Sequence, residues 1–122
     1  MWEYTMTLSK AQLGYFKERL HDMHNHLNEE VQRLEEATNQ LNQDAEFGVS
    51  NHIADDASDI FEREKNFALI EDRQRLIGEV EAALDRIDHG TYGICLKTGK
   101  QIPIERLEVL PYAALSIEAA NS

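Results

Sequence analysis

Cys95 is the one cysteine of the chain, and the residues that follow it at metal-binding intervals are Thr98, Ser116 and Ala119. Two residues separate Cys95 from Thr98, seventeen separate Thr98 from Ser116, and two separate Ser116 from Ala119. Four cysteines at those positions would make the paired Cys-x-x-Cys pattern of a structural zinc site. Thr98, Ser116 and Ala119 are close to cysteine in volume but supply no thiolate, and one soft ligand cannot hold structural zinc. The sequence therefore predicts no metal and no cofactor there, with packed side chains closing the space. No cluster of Lys, Arg or His that would activate the thiol is evident, so Cys95 reads as a buried cysteine and not as a redox sensor. A lone cysteine also forms no intramolecular disulfide, so an oxidising compartment is not implied.

Two further groups carry chemistry-bearing side chains. Asp55, Asp56 and Asp59 fall in the first turns of a periodic segment, where negative charge complements the positive end of a helix dipole. His21, Asp22, His24 and His26 resemble a metal set in composition only. On a helix His21 and His24 share one face while Asp22 and His26 share another, so the four cannot converge. Phosphate-loop, His-Glu-x-x-His and nucleophile-triad patterns are all missing, and an enzyme is not expected.

The elements that must position these residues are long helices. From Leu8 to about Glu46 there is one glycine and no proline, and apolar residues recur at Phe16, Leu20, Met23, Leu27, Val31, Leu34, Ala37 and Leu41. That spacing approaches the ~3.5-residue period of a coiled-coil seam. Ser9 or Thr7 can cap the start. Such a helix would run roughly 55 Å and needs a partner for its apolar stripe. Phe47 to His52 breaks the pattern with Gly48 and Asn51. A second periodic segment follows from about Ala54 to Asp88, with Ala57, Phe61, Leu69, Ile70, Leu76, Ile77, Val80, Ala83, Leu84 and Ile87. Gly90 stands where a left-handed residue ends a helix. Two long helices joined by a short turn pack antiparallel, so the fold class is mainly α, a helical hairpin with an acidic tip near 47–57.

After Gly90 the text changes to Thr91–Cys95, Lys97–Lys100 and Gln101–Ile104, which predicts two very short strands about a Thr-Gly turn. One helical turn is expected over Glu105–Leu110, and a short helix from Pro111 to about Ala120. The domain organisation is thus a segment and hairpin over 1–89 and a small lobe over 90–122. About thirty residues cannot build a self-sufficient core. Tyr92, Ile94, Ile102, Ile104, Leu107, Leu110 and Leu115 are the candidates to fill the lobe.

The chain has 122 residues, 42% of them hydrophobic and 7% aromatic, with a formal charge of −11. That charge argues against tight DNA binding, which needs clustered Lys and Arg, and against an anionic membrane surface. A large partner would present a basic surface. Neither a signal peptide nor a run of about 18 apolar residues is visible, so the expectation is a soluble cytoplasmic protein.

The text Gly-Thr-Tyr-Gly-Ile-Cys-x-x-Thr-Gly-x-x-Ile-Pro-x-x-Arg-Leu-Glu-x-Leu-Pro-Tyr-Ala resembles the DksA/TraR family of transcription regulators, in the branch of YteA-like proteins. The resemblance covers about residues 50–119. It implies that Cys95, Thr98, Ser116 and Ala119 occupy former zinc-ligand positions in a degenerate zinc-finger-like lobe. It further implies a transcription regulator whose hairpin enters the secondary channel of bacterial RNA polymerase, without direct DNA binding. In the family, tip residues in an Asp-x-x-Asp-x-Ala pattern act near the polymerase active site. That pattern falls on His52, Asp55 and Ala57, with His52 in place of the first acid, and Asp56 and Asp59 beside them. The best-known members of the family also respond to ppGpp through basic residues on the second helix and in the lobe. Two of those helix positions fall on Asp72 and Glu79, which cannot clamp a pyrophosphate, so no ppGpp response is expected there. Arg73 and Arg75 lie nearby. An intramolecular hairpin implies a monomer. The competing expectation is a self-associating coiled-coil adaptor joined through the 16–41 seam, or a stress or sporulation protein that does not act on polymerase.

Overall fold

The computed structural model describes residues 8–46 and 53–121. Helix α1 spans Lys10–Glu46 and α2 spans Ile53–Asp88, and the two form a hairpin. Two short helices follow, α3 over Ile104–Val109 and α4 over Ile117–Ala120. The expected turn at 47–52, with His52, lies outside the described residues.

Local chemistry explains where the helices start and stop. Ser9 and Gln12 make a reciprocal capping box: the Gln12 amide donates to Ser9 Oγ at 3.1 Å, and the Ser9 amide donates to Gln12 Oε1 at 2.8 Å. At the other end, the Gly90 amide donates to the Ile87 carbonyl at 3.3 Å and the Thr91 amide to the Arg86 carbonyl at 2.8 Å. That pair of bonds is a Schellman cap, and Gly90 adopts the φ of 76° it requires.

Packing groups the chain into two compact units: residues up to Asn25 with Gly78–Ser122, and His26–Ile77. The sequence boundary at 89/90 instead marks where the long helix gives way to loops. In the first unit, which we call the base, Phe16 and Leu20 of α1 and Val80 and Ala83 of α2 are buried together with Tyr92, Ile102 and Leu107 of the lobe. The Phe16 and Tyr92 rings sit 5.8 Å apart, and the Tyr92 hydroxyl donates to the Pro111 carbonyl at 2.7 Å. Burial pushes the Tyr92 phenol well above its ordinary range, so it stays a neutral donor. Gly93 has a φ of 84°, and a Cβ there would meet Leu8 Cδ1 at 3.0 Å, so the lobe closes onto the start of α1 only because this residue is glycine. The lobe thus obtains the core it cannot build alone by packing on the hairpin base.

The second unit, which we call the distal unit, buries Leu27 and Val31, and with them Thr38 and Asn66.

Several expectations need correction. Ala37 is exposed and Thr38 is buried, because the straight-helix period of ~3.6 drifts away from a strict heptad and rotates the next residue inward. Phe61 is 67% exposed and Ala57 is exposed as well, so the inward face of α2 near its start is not the one the apolar residues suggest. The two short strands reduce to a single antiparallel bridge between Ile94 and Gln101, since the tight loop leaves no length for a ladder. Pro111 does not begin a helix; Pro111 and Tyr112 form a turn, the chain is irregular to Leu115, and Ser116 caps the shorter α4 by accepting from the Ala119 amide at 3.3 Å. Ile104 begins α3 on the outside of the lobe, 37% exposed, so it does not fill the core.

Candidate functional site: the Cys95 loop and the start of the second helix

The Cys95 loop is a tight turn closed by backbone bonds. The Cys95 amide donates to the Lys100 carbonyl at 2.8 Å, and the Gly99 amide donates back to the Cys95 carbonyl at 2.8 Å. Gly99, with a φ of 72°, permits the reversal. A second segment comes alongside, with the Leu96 amide donating to the Ala114 carbonyl at 2.9 Å. The result brings Ser116 to Cys95: the Ser116 amide donates to Cys95 Sγ at 3.4 Å, and Ser116 Oγ lies 3.8 Å from the sulfur. Lys97 Nζ donates to the Ala119 carbonyl at 3.3 Å and ties α4 to the loop. Cys95, Thr98, Ser116 and Ala119 are therefore gathered at one place by two chain segments.

Cys95 is buried, as expected. Its acidity is not what the sequence suggests. A hydrogen bond from the Thr98 side chain, followed by bonds from the backbone of Ser116, Thr98 and Lys97, outweighs burial and lowers the thiol to about 6. The donors are a hydroxyl and amides, not cations. The donor set does not fit a tetrahedral metal: it offers one thiolate, Ser116 Oγ is engaged with the Ala119 amide, and Ala119 has no ligating atom. Among the described residues no group of three or more His, Cys, Asp or Glu is placed to hold a metal ion. His24 instead lies 2.9 Å from Glu81 through Nε2.

Asp55 and Asp56 belong to the first turn of α2, while their side chains fall outside the described set. Ala57 is exposed and Asp59 partly so. The structure therefore puts Asp55, Asp56, Ala57 and Asp59 on the opening turns of one helix, far along the chain from the Cys95 loop.

The α2 stretch around Asp72 shows an interlocked ion network. Arg73 Nε lies 3.0 Å from Glu30 and its Nη1 lies 2.6 Å from Asp72, while Arg75 Nη2 lies 2.9 Å from the other Asp72 oxygen. The Arg75 and Arg73 guanidiniums hold the Asp72 carboxyl below its usual range, and Glu30 holds the Arg73 guanidinium above its own. Sequence alone places Arg73 and Arg75 near Asp72 but cannot show that Glu30, on the other helix, completes the set. It also gives no sign of Arg86, whose half-buried guanidinium donates to the Tyr112 carbonyl at 3.3 Å.

Charge is divided unevenly. Residues 26–77 hold thirteen acids against five bases, whereas the rest of the chain holds ten against seven. Among the described residues no helix is long and apolar enough to cross a membrane.

Residues 90–122 match the model of the prokaryotic dksA/traR C4-type zinc finger. General stress protein 16O of Bacillus subtilis is 38% identical over 114 residues, which span 93% of this chain and 69% of that protein. The RNA polymerase-binding transcription factor DksA of Caulobacter vibrioides is 34% identical over 115 residues, spanning 92% of this chain and 75% of that one. Among solved structures, transcription factor DksA2 from Pseudomonas aeruginosa superposes with a TM-score of 0.79 at 28% identity, over 93% of this chain and 83% of that chain. A match that extends from the lobe through both hairpin helices, in sequence and in fold, makes this chain a member of the DksA/TraR family, a family that includes transcription regulators named for binding RNA polymerase.

Proposed function

We propose that this chain regulates transcription by binding bacterial RNA polymerase through the secondary channel, with the start of α2 as its working end. The observation that carries the reading is the likeness to an RNA polymerase-binding transcription factor over 92% of the chain, hairpin included. The uneven charge supports it, because a hairpin unit with thirteen acids against five bases is steered into a basic channel that admits nucleoside triphosphates. Asp55 and Ala57 then act at the tip: a carboxylate at a helix start is held in a fixed direction, and alanine allows close approach. The lobe rests on the channel rim. The protein works in the cytoplasm as a monomer, is not an enzyme, and contacts no DNA directly.

The ppGpp response of the family is absent on this reading. Asp72 and Glu79 repel a pyrophosphate, and Arg73 is already engaged by Glu30 and Asp72. Labelled ppGpp titrated onto polymerase should bind equally with and without this protein; binding that requires the protein overturns the point.

Capture by core RNA polymerase, comparing the native chain with Asp55→Asn/Ala57→Thr, tests the whole reading. Both should bind, and only the native chain should change transcript yield. Failure of both to bind at low salt would leave the family likeness as one of fold, and sedimentation as a stable dimer would favour the coiled-coil adaptor.

A further inference from the structure

The hairpin seam changes character partway along the distal unit. Leu27 and Val31 are buried, as a coiled-coil seam requires, but the next fully buried residue on α1 is Thr38, at 4% exposure. Glu30 and Arg73 are joined across the two helices at 3.0 Å, which fixes the local register. Eight residues outward from Glu30 along α1 is Thr38, and seven residues toward the start of α2 from Arg73 is Asn66, at 5% exposure. At about 1.5 Å per residue the two stand level to within about one residue. Both buried polar residues of the described chain therefore sit at one level of the seam.

Neither side chain makes a hydrogen bond across the seam among the described residues. Thr38 Oγ1 donates back to the Leu34 carbonyl at 2.9 Å, a bond made within its own helix that adds nothing across the seam. The Asn66 side chain, with two donors and an acceptor, has no hydrogen-bond partner among the described residues. A buried carboxamide without partners among the described residues favours any state in which water reaches it. At the same level Glu35, Thr38, Asn39, Asn42, Phe67 and Ile70 line an open surface cleft of about 490 Å³. Phe67 is 53% exposed, and toward the start of α2 Phe61 and Ile60 are 67% and 49% exposed, so the large apolar side chains of this stretch contribute little to closure.

We infer that the Thr38–Asn66 level is a built-in parting line, beyond which the two helices open together as one cooperative unit while the Leu27–Val31 seam stays closed. Such a unit lies at the low end of the range of local unfolding free energies in a folded protein. Its opening hydrates Asn66 and frees the distal ends of both helices, so the working end adjusts its geometry without disturbing the base. The device does not depend on polymerase, and its failure would leave the proposed function standing.

Amide hydrogen exchange on the whole native chain tests it. Amides of 39–46 and 57–65 should share one opening constant and exchange at least tenfold faster than those of 20–31 and 76–87. Asn66→Leu should raise protection about tenfold or more on both helices beyond the parting line and leave 20–31 and 76–87 unchanged. Asn66→Asp, which places a charge in the seam, should speed exchange over the same residues. Distal amides as protected as those of the base would overturn the inference. So would an Asn66→Leu effect confined to α2 within one turn of the substitution, or no effect at all. Helical circular dichroism of each variant confirms that the hairpin is intact.

Discussion

The base and the distal unit use the same two helices to opposite ends. In the base, Phe16, Leu20, Tyr92, Ile102 and Leu107 are buried, and the polar groups that accompany them are answered: Tyr92 by the Pro111 carbonyl, Arg106 Nε by the Leu115 carbonyl at 2.8 Å. In the distal unit the seam admits Thr38 and Asn66, large apolar residues face outward, and acids outnumber bases thirteen to five. One amphipathic pattern therefore does not imply one stability. Where the lobe supplies a third wall, the helices close around bulky side chains; where each helix has only the other, the seam is thin and the surface charge dominates.

The largest effect expected from this contrast is Leu107→Ala, which removes a fully buried side chain of the base and should cost about 2–5 kcal/mol in urea unfolding. Phe67→Ala in the distal unit removes more atoms yet should cost less than about 1 kcal/mol, because the ring is half exposed. Equal costs would break the comparison.

A pH series sharpens it next. The folded Cys95 thiol is lowered from 9.0 to about 6, so its contribution to stability is complete above the unfolded value and is lost as pH falls through the folded one. Native protein should therefore gain stability from pH 6 toward 9 relative to Cys95→Ser, and thiolate absorbance should appear with a midpoint near 6. A midpoint near 9 removes the Thr98 and amide donors from the account.

A smaller effect is expected at the surface of the base. Arg19 lies 3.4 Å from Glu108 and 5.7 Å over the Tyr15 ring, and Arg19→Ala should cost roughly 0.5–1 kcal/mol, less at high salt. Last comes an expected zero: a strong chelator should leave the melting temperature unchanged, since only Cys95 offers a thiolate. A fall on chelation would show that the base depends on a metal after all.

Much of the fold was legible because helices write their burial into spacing. Phe16, Leu20, Leu27 and Val31 fall where the heptad puts them, and Gly90 ends α2 with the cap its position implies. The seam became illegible at Ala37 and Thr38, where a small apolar residue and a small polar one compete and only the accumulated helical drift decides. Ser9 was legible as a cap, but its reciprocal bond with Gln12 needed coordinates. The gathering of Cys95 with Ser116 is what the family resemblance implies, whereas the acidity of the thiol is not, because backbone amides leave no mark in a sequence. Likewise Arg73 looks free for an anion until Glu30 is seen across from it.

The closed loop from Cys95 to Lys100 has a consequence for redesign. Its backbone already makes the reversal a metal knuckle needs, with Gly99 in the left-handed region and Ser116 drawn up against the sulfur. Thr98→Cys, Ser116→Cys and Ala119→Cys would then add three thiols to a turn that needs no rebuilding. The folded lobe would then gain stability from zinc, and because its residues are buried together with both long helices, the protein as a whole would acquire a nutrient input that a chelator titration could read.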